Sequence, residues 1–193
     1  DGAKMSKNKG NVVPPDTLIA KYGADTERVY TLFIGPPEKD AEWNDRAVEG
    51  AFKFLNRVWR MVGENAAAVR EYQENQAALG RAELEPAERA LRRKTHQCVQ
   101  KMRRDLAVDL HFNTAISALM ELVNDCSNFL REGEPLGRPL PRLVLGEALH
   151  HLVLMLAPMA PHLCEELWEM LGHQGGIMAT RFPEPDAAAL TMD

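Results

Sequence analysis

The sequence predicts a mainly α-helical chain, a helical bundle preceded by a small irregular and helical module. Three observations predict it. Apolar residues recur at spacings of three and four along several long stretches, which is the period of one helix face. Proline stands at the starts of these stretches (Pro15, Pro86, Pro161) and glycine at their ends (Gly23, Gly133, Gly172). Leu143 to Leu156 is apolar nearly all round, as a helix central to a bundle must be.

Residues 1–14 read as a loop carrying Gly2, Lys4, Lys7, Lys9, Gly10 and Asn11, closing at Pro14-Pro15. Pro15 to Tyr22 starts a short helix, because proline lacks only a donor that the first turn does not use, and Gly23 stops it. Asp25 to Ile34 reads as a second helix, ended by Gly35-Pro36-Pro37. Over residues 45–62, Val48, Phe52, Leu55, Trp59 and Val62 share one face, with Lys53, Arg57 and Arg60 opposite. That helix can extend to about Gln76 through an alanine-rich polar stretch, and a polar linker follows to Glu85. Pro86 opens a helix to about Leu110 with a buried stripe of Leu91, Thr95, Cys98 and Met102. From its other side project Arg89, Arg92, Arg93, His96, Arg103 and Arg104, flanked by Lys94 and Lys101.

Asn113 is placed to cap the next helix, whose stripe is Ala115, Leu119, Leu122, Cys126 and Phe129 and which ends at Gly133. A Pro/Gly linker spans 134–141, and the apolar helix 143–156 breaks at Pro158 and Pro161. A last helix starts at Pro161, with Glu165 and Glu166 near its positive end, and stops at Gly172. From His173 onward the chain reads as an extended, fraying tail. No internal repeat is present. The divisions are therefore 1–44, 45–172 for the bundle, and 173–193.

Composition narrows the function. The chain has 193 residues, 45% hydrophobic and 26% charged, which suffices for a core without staples. Three Cys, 12 Pro and 13 Gly exclude a disulfide scaffold, a collagen and a low-complexity chain. Cys98, Cys126 and Cys164 form no CxxC pair, so no metal site is expected and the thiols are expected to be buried in a reducing compartment. Neither a signal peptide nor a membrane span is expected, and a cytoplasmic location is. The net charge of −5 is unevenly spread: residues 51–104 carry a net +6 and residues 105–193 a net −9.

Two features carry chemistry. Lys4-Met5-Ser6-Lys7-Asn8-Lys9-Gly10-Asn11 places three lysines among glycines. Ammonium groups on such a loop can wrap a polyphosphate and neutralise charge on departing pyrophosphate, and a solvated charged turn has the same composition. The second feature is the basic face of helix 86–110. Arg89, Arg92, Arg93 and Arg103 can track phosphates, with Arg57 and Arg60 extending the patch if the two helices lie side by side; a solvated surface is the alternative. Trp59 and Trp168 fall on apolar faces and read as core, Trp43 lies in a loop and stays open, and His162 reads as a structural hydrogen-bonding group. His150-His151 lacks the ligands a metal would need.

The lysine loop resembles the KMSKS signature of class I aminoacyl-tRNA synthetases, with Asn8 in place of the last serine. Leu156-Ala157-Pro158-Met159-Ala160-Pro161-His162-Leu163-Cys164-Glu165-Glu166-Leu167-Trp168 resembles a stretch of the anticodon-binding bundle of the branched-aliphatic subgroup (class Ia). Within it, Pro36 to Trp43, Glu49 to Arg60 and Phe112 to Asn124 are similar to the bacterial-type leucyl enzymes. The valyl, isoleucyl and methionyl enzymes, or a non-catalytic tRNA-binding module, are the alternatives.

The resemblance implies an ATP-dependent activation of leucine and its transfer to tRNA(Leu), with Mg2+ accompanying the nucleotide, in a monomeric enzyme. Lys7 is implied as the principal catalytic and ATP-contacting residue, with Lys4, Ser6 and Asn8 in support. Residues 1–44 are implied to be the loop and a stem-contact module. The bundle is implied to bind tRNA by backbone and shape contacts.

No His-x-Gly-His occurs, and Asp1 is not Met, so the chain reads as one part of a longer enzyme that supplies a loop of the active site. The 193 residues alone are expected to be inactive. Leucine-dependent ATP–pyrophosphate exchange by the isolated segment checks this, and robust exchange would refute it.

Overall fold

The computed structural model describes residues 5–35, 41–131 and 137–191. Within them the helices are α1 (Pro15–Tyr22), α2 (Ala24–Phe33), α3 (Asp45–Glu64), α4 (Ala66–Leu79), α5 (Pro86–Arg104), α6 (Phe112–Arg131), α7 (Pro139–Leu156), α8 (Pro161–Met170) and the short α9 (Ala187–Leu190). No strand occurs among the described residues, so the mainly α reading holds. No helix there is long and apolar enough to cross a membrane.

The bundle is organised around α7. It packs against α4, α5, α6 and α8, and Leu145, Leu149, Leu152, Met155 and Leu156 are fully enclosed. It begins earlier than expected, because Pro139 and Pro141 fit the first turn, where helix donors have no partner.

The alanine-rich stretch is not a polar extension of α3. The chain leaves helical geometry at Asn65 (φ −114°, ψ 19°), and α4 then buries Ala66, Ala68, Val69, Tyr72 and Leu79. Small alanines let α4 approach α7 with backbone nearly touching backbone. At the crossing Gly146 leaves no room for a side chain: a Cβ there would run into the Ala68 carbonyl and lie 2.8 Å from Tyr72 Cβ.

The buried stripe of α3 is also rotated from the expected one. Val48, Leu55 and Val62 are enclosed as predicted, but Ala51, Phe54, Val58 and Met61 complete the stripe. Positions 52 and 59 lie at the edge of this arc, so Phe52 (37% exposed) and Trp59 (39% exposed) face outward. Trp168 is buried as expected. Trp43 is structural too: it meets Tyr30 edge-on at 5.0 Å, and its indole N–H donates to Asp45 Oδ1 at 2.9 Å. This entry is capped by Asn44, whose Oδ1 accepts from the Arg46 and Ala47 amides at 3.0 and 3.2 Å.

α5 ends at Arg104 and passes through a π-helical turn, Asp105–Asp109, to Leu110 in the left-handed region (φ 53°). Buried Asp105 holds this corner, accepting from Lys101 Nζ at 2.8 Å and Thr114 Oγ1 at 2.5 Å. α6 begins at Phe112, so Asn113 lies inside the first turn and does not cap it. The predicted α6 stripe is buried throughout. All three cysteines are free and buried, and burial pushes the thiols of Cys98 and Cys126 up to about 12. The predicted stop at Gly133 lies outside the described residues.

The N-terminal module is docked on the bundle through α2. The Asp25 carboxylate accepts from the Leu163 amide at 2.7 Å and lies 2.8 Å from His162 Nδ1. Arg28 donates to the carbonyls of Met159 and Pro158 at 3.2 and 3.1 Å. The prolines that break the chain between α7 and α8 free these backbone groups, and α2 satisfies them. His162 thus makes a structural hydrogen bond, as expected.

The tail is extended but docked, contrary to the fraying expected. His173 stacks on Trp168 (3.4 Å between centroids, 3° between planes), Ile177 is buried, and Ala189 of α9 is fully enclosed. Its polar ties to α5 are described below.

Replacing Gly146 by Ala is expected to cost about 3 kcal/mol, the upper range of overpacking, because backbone rather than a flexible side chain must give way. Urea denaturation of the two forms checks it.

Candidate nucleic-acid interface and lysine loop

The described part of the lysine loop begins at Met5; Lys4 lies outside the described residues. Its turn is built by Ser6 and Asn11. The Ser6 amide donates to Asn11 Oδ1 at 2.8 Å, the Asn8 amide to Ser6 Oγ at 3.3 Å, and the Lys9 amide to the Ser6 carbonyl at 3.0 Å. Lys7–Lys9 form one turn of 3-10 helix, and Gly10 at φ +65° leads out of it, a conformation that glycine adopts without strain. In this arrangement the Ser6 hydroxyl serves the loop's own backbone. By sequence, the side chains the loop brings are cationic. They fit phosphate oxygens and not a metal ion, and no group of three or more His, Cys, Asp or Glu among the described residues could hold one.

The basic face of α5 is organised differently from the expectation. Arg92 and His96 do not project outward; they are 4% and 2% exposed. Arg92 Nε donates to Glu147 Oε2 at 2.9 Å and Nη2 to Asp186 Oδ2 at 2.6 Å. His96 Nε2 lies 3.1 Å from Glu147 Oε1, and His96 Nδ1 accepts from the Asp186 amide at 3.1 Å. That acceptor role leaves the ring proton on Nε2, directed at Glu147. The physical reason is that α5 is covered on more than one side, by α6, α7 and α9.

Burial raises the Glu147 carboxyl, but the hydrogen bond from His96 and the Arg92 guanidinium outweigh it and hold the group below the ordinary carboxylate range. The Arg92 guanidinium is destabilised by burial, and Glu147 and Asp186 more than restore it. A signal of this network stands in the sequence. Glu147 is the one charge in the apolar run from Leu143 to Leu156, and a buried carboxylate needs a cation.

Arg103 is engaged with the tail, donating to the Pro183 carbonyl at 3.2 Å and pairing with Glu184 at 2.8 Å. Arg89 donates to the Leu84 carbonyl at 2.6 Å, and Arg93 is half-buried. Arg57 and Arg60 do not extend this face. α3 packs on α2, α8 and α4, and Arg57 reaches α6, donating to Asn124 Oδ1 at 2.6 Å and Ser127 Oγ at 2.7 Å. Between α3 and α6 lies an open groove of about 660 Å³, whose lining includes Lys53, Arg57, Arg60 and Arg131. Arg60 is exposed.

A bundle with one basic groove, docked by a module that ends in a lysine loop, defines a class of protein. The family described as the anticodon-binding domain of tRNA ligase matches residues 88–193, and the chain belongs to that family. Residues 1–44 match the class I tRNA synthetases for isoleucine, leucine, methionine and valine. Among named relatives, the leucine–tRNA ligase of Syntrophobacter fumaroxidans is 49% identical over 190 residues, 98% of this chain and 22% of the relative. That of Geotalea daltonii is 47% identical over 189 residues, with the same coverage. The chain thus spans about a fifth of the length of the curated relatives it matches. A crystal structure of an Agrobacterium radiobacter K84 LeuRS–tRNA–LeuAMS ternary complex aligns with a TM-score of 0.81 and 28% identity, over 99% of this chain and 23% of that one.

Glu147→Ala is expected to destabilise the fold by about 3–5 kcal/mol, because it leaves Arg92 buried with half its partners. Replacing Arg92 and Glu147 together by Met is expected to recover most of that loss. The depressed Glu147 carboxyl contributes stability that is full above its ordinary value of 4.5 and is lost as pH falls through the lower folded value. Urea midpoints from pH 7 down to pH 3 check both.

Proposed function

We propose that this chain is the segment of a leucine–tRNA ligase that carries the ATP-contacting lysine loop and the tRNA-binding bundle. The observation that carries the reading is the similarity, 49% identity over 98% of the chain, to a protein of that name. The whole enzyme would join leucine to ATP as leucyl-adenylate, release pyrophosphate, and pass the leucyl group to tRNA(Leu) in the cytoplasm.

In this reading the segment's part in chemistry is electrostatic. Lys7 and Lys4 bring ammonium groups to the triphosphate, and negative charge grows on the leaving pyrophosphate as the α–β bond breaks. Cations held at that point stabilise the transition state more than the ground state. Ser6 and Asn8 shape the turn that presents Lys7. Mg2+ would arrive as the counter-ion of ATP, since the loop itself offers no carboxylates. For tRNA, Arg57, Arg60, Arg89 and Arg93 stay as phosphate contacts, while Arg92 and Arg103 are assigned to holding the tail.

Lys7→Ala in the full-length ligase is expected to lower leucine-dependent ATP–pyrophosphate exchange by about 100- to 1,000-fold, the range for removing one transition-state charge partner. The leucine Michaelis constant is expected to change little. Full exchange activity in this variant would overturn the reading.

A further inference from the structure

We propose that the outer face of α3 is where an RNA strand lies: an unpaired nucleotide stacks on Trp59, and Lys53, Arg60 and Arg131 take the flanking phosphates. The proposal rests on the chain being part of a tRNA-binding enzyme and names the surface and the anchor.

Trp59 is the anomaly that calls for a partner. The other two tryptophans are used by the fold: Trp168 is buried under His173, and Trp43 packs on Tyr30 and bonds Asp45. Trp59 is 39% exposed, and its indole N–H makes no hydrogen bond among the described residues. Phe52, two turns earlier on the same edge, is 37% exposed. Phe52 still packs against Tyr22, at 5.4 Å between ring centroids, whereas Trp59 has no ring partner among the described residues; buried area is the main contribution of a large aromatic side chain, so an open Trp59 marks a surface that something covers.

The surroundings state the chemistry of that partner. Two open grooves meet along α3, sharing Phe52 and Asn56 in their linings. One, of about 660 Å³, is lined by Lys53, Arg57, Arg60 and Arg131 with the carboxylate of Glu64; Lys53 also lies 3.9 Å from Glu49 Oε2, with both side chains exposed to solvent. The other, of about 410 Å³, is lined by Trp59 and Tyr22 with His162. Its one carboxylate, Asp25, is occupied by His162 and the Leu163 amide.

Lys53, Arg57 and Arg60 span about 10 Å of helix, at 1.5 Å per residue. Arg57 is locked by Asn124 and Ser127 and is already oriented, whereas Arg60 makes no hydrogen bond or ion pair among the described residues. An acidic protein segment would use the cations and leave the indole idle. A nucleic-acid strand uses both, its phosphates on the cations and a base on the ring.

The test uses the full-length ligase. Trp59→Ala is expected to raise the tRNA Michaelis constant about 30-fold, the middle of the range for losing one base–aromatic stack. Trp59→Tyr, which keeps an aromatic ring, is expected to restore most of it. Lys53→Gln with Arg60→Gln is expected to lower the slope of log K against log salt by one to two, about one for each phosphate left without its cation.

ATP–pyrophosphate exchange without tRNA reports the adenylation step separately. An unmoved tRNA constant together with an unmoved salt slope overturns the proposal. So does a loss confined to exchange, which would mean that another part of the enzyme covers this face. If Lys7→Ala abolishes exchange while Trp59→Ala leaves tRNA kinetics unchanged, only this proposal fails. If Lys7→Ala is fully active, the ligase reading itself fails.

Discussion

A helix that is apolar on every side must be covered on every side, and α7 imposes that requirement on the whole chain. α4 meets it by close approach, which Ala68 and Gly146 allow because neither carries bulk at the crossing. α5 and α6 meet it with ordinary apolar stripes. The exception is Glu147, a charge placed on the same enclosed helix. Left alone it would be expelled from the core or neutralised. Arg92 and His96 keep it ionised, and Asp186 completes the coordination of Arg92. One carboxylate on α7 therefore orients two residues of α5 and docks the tail.

The same logic governs the junction with the N-terminal module. Pro158 between α7 and α8 and Pro161 at the start of α8 interrupt the helical hydrogen bonding at this corner, and Asp25 and Arg28 of α2 take up backbone groups left there. α2 also packs on α3 and α6. The lysine loop, described from Met5 onward, is thereby carried, through α1 and α2, on a unit anchored to the bundle by hydrogen bonds as well as apolar contacts. Movements of the bundle can reach the lysine loop through this joint rather than through a free linker.

Most helix positions could be read from the sequence, because apolar spacing and Pro/Gly punctuation are local signals. Gly23, Gly172 and the stripes of α5 and α6 behave as their spacing demands. What could not be read depends on what lies opposite. Arg92 and Arg93 are adjacent in sequence and alike in type, yet only Arg92 meets Glu147, fifty-five residues away. Trp59 belongs to the expected apolar arc by spacing, but the arc is centred one position away and leaves it at the rim. Asn65 breaks α3 from α4 with no proline there, and Gly63, two residues earlier, is the one local sign of it. The resemblance to leucyl enzymes carried the family, but tertiary contact decides which arginines reach the surface.

Charge shows the consequence. The net of −5 hides a basic segment, residues 51–104, and an acidic one, residues 105–193, and a linear reading treats them as separate territories. In the fold they interlock. Glu147, Glu184 and Asp186 of the acidic segment are counter-ions for Arg92 and Arg103 of the basic one. The acidic tail does not compete with the basic helix for a polyanion; it consumes part of that helix's charge in building the fold. What basic character remains open is concentrated along α3, where Arg57 is held by neutral Asn and Ser side chains rather than by a carboxylate. A guanidinium held by neutral partners keeps its charge available to a ligand. One held by a carboxylate does not, and this difference separates Arg57 from Arg92 and Arg103.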